Sequence, residues 1–284
     1  MELIRFADII DNYKAFFFDS YGVLKNQNGA ISGVIDVINA LNVKQIPYKI
    51  LTNDASRNRE EQGSKFRDLG YTGIRDQDII TSGMMTTIFL KEQVKSGLIA
   101  YLGTSMAADY IHQAGHESIP IHDVHDDNEK DISALVFLDD EGYNWDFAIN
   151  KCINLLRHVN IPVVVANPDR IYPTKGNEVR MAIGSIAYMV EKTVGKRFIY
   201  FGKPESQMFA HAFDEMKMIG IKSKTDVLMI GDTLETDIYG ANRFGLQSML
   251  VLSGNTSKSR YENRINSTGI IPDYVCAELN WNID

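Results

Sequence analysis

Short, largely apolar runs alternate along the chain with longer stretches whose apolar positions recur every three or four residues. The runs lie at residues 15–18 (AFFF), 48–51 (YKIL), 98–102 (LIAYL), 134–138 (ALVFL), 162–166 (PVVVA), 198–201 (FIYF), 226–230 (DVLMI) and 248–252 (SMLVL). Runs this short, bounded by turn residues, predict buried strands. Between the first two, residues 31–43 carry apolar side chains at 31, 34, 35, 38 and 41, the spacing of one helix face. Similar patterns predict helices over 59–69, with Gly70 as the stop, and over 82–94, 105–113, 145–159, 178–194, 206–219 and 236–244. Strands alternating with helices predict βαβ units, hence an α/β fold with a doubly wound, mostly parallel sheet.

The chain's 284 residues suffice for one large domain or two smaller ones. Aromatic residues make up 10% and hydrophobic residues 44%, which gives enough to bury and excludes disorder as the general state. The net charge of −8 argues against nucleic acid or an anionic lipid surface as partner. No apolar run approaches the ~20 residues that span a bilayer, so no membrane association is expected. Glu2, Asp8 and Asp11 break up the apolar residues at the start, unlike a signal peptide. Cys152 and Cys276 are too few for a disulfide framework, and two reduced thiols in the cytoplasm are the expectation.

Four motifs follow predicted strands, which is where open α/β sheets bind ligands. Residues 19–24 (DSYGVL) place Asp19 beyond the first strand, where a carboxylate can attack phosphorus or hold a metal; taken alone, it could equally cap a turn. Thr52 and Asn53 follow the second strand and offer a hydroxyl, an amide and loop N–H groups to phosphate oxygens. Lys203, between Gly202 and Pro204, is a point charge for phosphate, or in isolation a solvated surface lysine. Asp232 and Asp237 in residues 231–237 (GDTLETD) flank a strand-to-helix turn and supply hard oxygen ligands suited to Mg²⁺. His112, His116, His122 and His125 sit among acidic residues, and a solvated loop accounts for them better than a metal site does.

In this order the four motifs resemble the haloacid dehalogenase (HAD) superfamily, most of whose members transfer phosphoryl groups through an aspartyl-phosphate with Mg²⁺. Residues 231–245 (GDTLETDIYGANRFG), running on to 250–254 (LVLSG), look specifically like class IIA. So do Asn167-Pro168-Asp169 and residues 272–274 (PDY). Class IIA contains 4-nitrophenyl phosphatase-like enzymes and predicted sugar phosphatases, and the resemblance covers nearly the whole chain. It implies a Rossmann-like core with an α/β cap domain. Roughly 150 residues separate Thr52 from Lys203, against about 30 between Asp19 and Thr52, so only the former interval has room for a domain. The core is expected over residues 1–83 and 197–284, and the cap over 84–196. The resemblance also implies Asp19 as nucleophile and Mg²⁺ ligand, with the Tyr21 carbonyl, Asp232 and Asp237 completing the protein ligands. Thr52 and Asn53 would hold the phosphoryl group, Lys203 would neutralise Asp19 and the phosphate, and Asn167 and Asp169 would face the substrate. A small phosphorylated metabolite, such as a sugar phosphate, is the implied partner, and related proteins form homodimers through the cap.

One position departs from the pattern. Family phosphatases read Asp-x-Asp at the first motif, and the second Asp serves as acid and base; here that position is Tyr21. A phenol with an ordinary pKa near ~10 is a poor base at neutral pH, and loss of a positioned acid/base costs about 10²–10⁴ in rate. Three readings follow: a Mg²⁺-dependent phosphatase with altered acid/base chemistry, in which Tyr21 or a cap residue substitutes for the missing aspartate beside the catalytic Asp19 and Lys203; a non-catalytic or very slow phosphometabolite-binding protein; and a haloacid dehalogenase-type hydrolase. The last resembles the chain at Asp-x-Tyr-Gly, but it has no use for two metal carboxylates and carries its cap between the first two motifs.

Overall fold

The computed structural model describes residues 2–174 and 178–281. The chain forms two compact units. The first comprises Met1–Thr52, Arg59–Ile80 and Lys203–Asp284; the second comprises Asn53–Asn58 and Thr81–Gly202.

The first unit is built on a seven-stranded sheet in the order Leu3–Ile4, Tyr274–Cys276, Gln247–Val251, Val227–Gly231, Ala15–Asp19, Tyr48–Thr52, Ile79–Thr81. The pairs from Leu3–Ile4 across to Tyr48–Thr52 all run parallel. All five residues of Ala15–Asp19 are buried, as a central parallel strand requires. Strand alternation sends Phe16 and Phe18 to one face, where they pack with Ile50, Leu228, Ile230, Met249 and Val251. The apolar stripe of helix Val34–Val43, formed by Val34, Val37, Ile38 and Leu41, covers that face. Leu250 and Val275 point the other way, into a cluster with Ile238, Tyr261 and Ile265. Each large apolar side chain buried in this way contributes about 1.5–3 kcal/mol.

The second unit has its own five-stranded parallel sheet, in the order Ile199–Tyr200, Val163–Val165, Ile132–Phe137, Leu98–Leu102, Ser118–Pro120. Helices Trp145–His158 and Ile183–Val194 pack on it through Ala148, Cys152, Leu155, Ile183, Ile186, Ala187 and Val190. The expected α/β class and parallel sheet are thus observed. The second unit extends past the 84–196 expected for a cap. Thr81 caps helix Ser82–Gln93 by accepting from Met84 N (3.2 Å), and Ile199–Tyr200 is an edge strand of the five-stranded sheet.

Three predicted helices start later, or differently, than the pattern suggests. Residues 179–181 form a strand, Val179–Met181, paired antiparallel with Ile171–Pro173, and the helix begins at Ile183. The strand is exposed throughout, so its apolar residues mark a hairpin rather than a helix face. Residues 105–108 form a turn closed on Thr104, and the helix there is only Asp109–Gln113. The helix expected at 236 opens two residues earlier, as a π-helical turn over Leu234–Ile238. Among the described residues, no helix is long and apolar enough to cross a membrane.

Candidate active site

Asp19 is the last residue of its strand, and Asp232 is the residue after Val227–Gly231. The two strands pair in parallel, so both carboxylates emerge at the same carboxyl end of the sheet. Asp237 comes back to them on the π-helical turn, a distortion that recurs at functional sites. Its Oδ2 accepts from Thr233 N at 3.1 Å, which folds the side chain back over the turn. A Cβ at Gly231 would lie 2.1 Å from the Asp237 Cβ, so only glycine lets the two approach. Among the described residues, Asp19, Asp232 and Asp237 are the group of acids, histidines or cysteines whose ligand atoms converge, with one carboxylate oxygen from each within 4.8 Å of the others.

Lys203 closes the cluster. It is 2% exposed, and its Nζ donates to Asp19 Oδ1 and lies 2.8 Å from Asp237 Oδ1. Burial opposes the lysine charge, but Asp19 and Asp237 outweigh it and hold the ammonium above its ordinary pKa. Burial, with Asp237 and Asp232 adding to it, raises Asp19 well above the carboxylate range against the pull of Lys203. Burial and then Asp237 push Asp232 up to about 7, although Asn255 N and the Thr233 hydroxyl donate to it at 2.6 and 2.9 Å. Three buried carboxylates facing one buried ammonium leave an excess of negative charge in a low dielectric. A divalent cation with hard-oxygen preference fits that donor set, and it would relieve the repulsion that raises these pKa values.

Two glycines make room for Asp232. A Cβ at Gly22 would fall 2.0 Å from Asp232 Oδ2, and one at Gly254 would fall 1.9 Å from it. Gly22 also has φ +90°, which disfavours any other residue. Ser253 Oγ donates to Gly22 O at 2.7 Å and ties the two loops together. The motif spacing suggested the carboxylates but not these glycines.

Tyr21 sits half-buried beside the cluster, and its hydroxyl donates to Gln27 Oε1 at 3.0 Å. Burial raises the phenol above its ordinary value, and the Asp232 charge adds to the rise. Gln27 lies in the short hairpin Lys25–Asn26/Gly29–Ala30, which the sequence pattern did not reveal. Thr52 ends its strand, buried, one residue beyond the Leu51 that pairs with Asp19. Asn53 and Asp169 are brought together within the second unit, where Asn53 Nδ2 donates to Asp169 Oδ1 at 2.9 Å. Asn167 accepts from Asp169 N through its side chain at 2.9 Å, so it turns the loop rather than projecting freely. Of the histidines, His112 meets Ser118 and His116 meets Leu90 O.

Residues 16–117 match the family model for haloacid dehalogenase-like hydrolases, and residues 200–281 match a second, HAD-hydrolase-like model. The solved structure of a "possible sugar phosphatase, HAD superfamily" from Cytophaga hutchinsonii is 43% identical, with complete coverage of both chains and a TM-score of 0.95. The chain belongs to the haloacid dehalogenase superfamily. Among its HAD relatives, the ribonucleotide monophosphatase NagD of Escherichia coli K12 is 28% identical over 84% of this chain and 87% of its own. An acid sugar phosphatase of Staphylococcus saprophyticus is 25% identical over 95% and 96%. These relatives bear out the expected class IIA placement and the expectation of a HAD-type phosphoric monoester hydrolase.

Proposed function

We propose that the protein is a Mg²⁺-dependent phosphatase that hydrolyses a small phosphorylated metabolite, with a sugar phosphate as the first candidate. The observation that carries this reading is the buried cluster of Asp19, Asp232, Asp237 and Lys203 at the carboxyl end of the sheet. The names of the Cytophaga and Staphylococcus relatives support the sugar class. The free, buried Cys152 and Cys276 suit a reducing compartment, so the cytoplasm is where we place it.

In this reading an Asp19 carboxylate oxygen attacks phosphorus and the ester oxygen departs with its electron pair, leaving an aspartyl-phosphate. Water then attacks that phosphorus and regenerates Asp19 with release of phosphate. Asp19, Asp232 and Asp237 side chains and the Tyr21 carbonyl would hold Mg²⁺, which when bound supplies positive charge to the phosphoryl oxygens. Lys203 keeps Asp19 oriented and balances part of the charge that the phosphoryl group brings. Thr52 and Asn53 hold the phosphoryl oxygens. Tyr21, whose proton is directed to Gln27, does not take the place of the usual acid/base aspartate, so the leaving oxygen draws its proton from solvent.

The same Tyr21 contact favours a second reading, in which the protein binds a phosphometabolite and turns it over very slowly or not at all. Phosphate release from 4-nitrophenyl phosphate by wild type, Asp19→Asn and Tyr21→Asp, with and without Mg²⁺, separates the two. Activity that needs both Mg²⁺ and Asp19 supports the phosphatase. Activity confined to Tyr21→Asp supports the binding protein, and silence in all three variants removes the catalytic assignment.

A further inference from the structure

Asn53 is fixed on three sides within the second unit. Ser82 Oγ donates to its backbone carbonyl at 2.8 Å, and both residues are buried. Gly202, with φ +102°, lies so close to its side-chain oxygen that a Cβ there would sit 2.6 Å from Oδ1. Its Nδ2 donates to Asp169 Oδ1. An amide is planar, so a contact that holds Nδ2 on one side and crowding that holds Oδ1 on the other set the plane and sense of the whole group. A carboxylate acceptor makes the Nδ2 contact stronger than a neutral one would.

The loop that presents Asp169 is tied down through its backbone. Gly184 N donates to Asp169 O at 3.1 Å and Ala182 N to Arg170 O at 2.9 Å. Ser185 Oγ adds a bond to Arg170 O at 2.7 Å. A Cβ at Gly184 would lie 2.5 Å from Asp169 O and Pro168 O, so the start of helix Ile183–Val194 is packed directly on the loop backbone.

We infer that Asp169 is a positioning residue for phosphate rather than a contact to the organic part of the substrate: it orients the Asn53 amide, and Asn53 receives the phosphoryl group. This rests on the proposed phosphatase reading, in which Asn53 holds phosphoryl oxygens. A residue acting through Asn53 affects every ligand carrying a phosphoryl group alike. A residue touching the leaving group affects one ester and leaves inorganic phosphate alone.

The test measures inorganic phosphate binding by calorimetry with Mg²⁺ present, together with KM and kcat for two phosphate esters, in Asp169→Ala, Asp169→Asn, Asn53→Ala and Asn53→Ala/Asp169→Ala. Asp169→Ala should weaken inorganic phosphate and both esters by a similar factor, about 5- to 50-fold, in line with the loss of a charge-assisted hydrogen bond. Asp169→Asn keeps an oxygen acceptor in the same place and should recover affinity to within about threefold. The double variant should be no weaker than Asn53→Ala, since the two side chains act as one unit. The inference fails alone if Asn53→Ala weakens phosphate and Asp169→Ala does not, or if the two losses add in full. It fails also if Asp169→Asn is as weak as Asp169→Ala, or if only one ester responds. If Asn53→Ala itself leaves phosphate binding unchanged, the inference falls together with the phosphate-holding role of Asn53.

Discussion

Asp139 offers a test of how charge is distributed in the second unit, well away from Asp19, Asp232 and Asp237 in sequence. It follows strand Ile132–Phe137, half-buried, with Asp140 and Glu141 next to it and Asp54 within reach of its field. Burial first, then Asp140, pushes its pKa from 3.8 to about 6, and the hydrogen bond it accepts from Asp140 N at 2.9 Å does not compensate. That rise is worth about 3 kcal/mol as a ceiling, and solvent screening of a half-exposed group reduces it to about 1–2 kcal/mol. The folded state binds more protons here than the unfolded chain between pH ~4 and ~6, so the stability contribution falls as pH rises through that window. Asp139→Asn mimics the protonated acid. It should be more stable than wild type by about 1–2 kcal/mol at pH 7.5, with roughly half of that advantage lost by pH 5. Urea unfolding at the two pH values measures both quantities. Trp145, whose Nε1 donates to Asp140 O at 2.9 Å, is a local fluorescence probe once the chain's other tryptophan is removed in a Trp281→Phe background. A destabilised Asp139→Asn, or an advantage independent of pH, would refute the electrostatic account.

Two further outcomes follow from the first unit. Gly254→Ala would drive a methyl group into Asp232 Oδ2 and, at 2.7 Å, into Gly22 Cα, and so displace a proposed ligand. It should weaken Mg²⁺ by about 10- to 100-fold, the range for residues supporting a metal ligand, and the Mg²⁺-dependent rise in Tm should shift to correspondingly higher metal concentration. Because Tyr21 donates to Gln27, the first step should favour leaving groups that need no proton. The ratio of kcat/KM for aryl or acyl phosphates over alkyl phosphates should exceed that of an Asp-x-Asp relative, and Tyr21→Asp should shrink it. Equal ratios across leaving-group pKa would remove that explanation.

Much of this architecture is written in local pattern. Buried parallel strands such as Ala15–Asp19 and Val227–Gly231 are continuous apolar runs, so they and the motifs at their ends are visible before any contact is known. Strands of three residues, such as Ile79–Thr81, Ser118–Pro120 and Tyr274–Cys276, were not, because their identity comes from the neighbours they pair with. The Val179–Met181 hairpin arm reads as part of a helix because apolar spacing cannot distinguish an exposed strand from a buried helix face. In the candidate site, motif order points to the three aspartates and Lys203, whose side chains lie together. The bond that Lys203 makes to Asp237 as well as Asp19, the glycine cradle around Asp232, and the Gln27 that receives the Tyr21 proton depend on distances across loops. No spacing rule reports those. Asp139 was equally invisible, since its pKa is set by what surrounds it rather than by its type.

Lys203 and Asp19 are 184 positions apart in the chain, and strand Ala15–Asp19 takes Val227–Gly231 as one of its two partners. A ribosome adding about 5–20 residues per second finishes the AFFF strand many seconds before that partner emerges. The strands from Leu98–Leu102 to Ile199–Tyr200, by contrast, are nearby in sequence and have all been made before Val227–Gly231. For that interval a largely apolar strand edge stands open on the nascent chain, the kind of surface on which strands from other chains add. The cluster of Asp19, Lys203, Asp232 and Asp237 can thus close only after every strand of the second unit has been made, and until then the N-terminal strands wait without their partners.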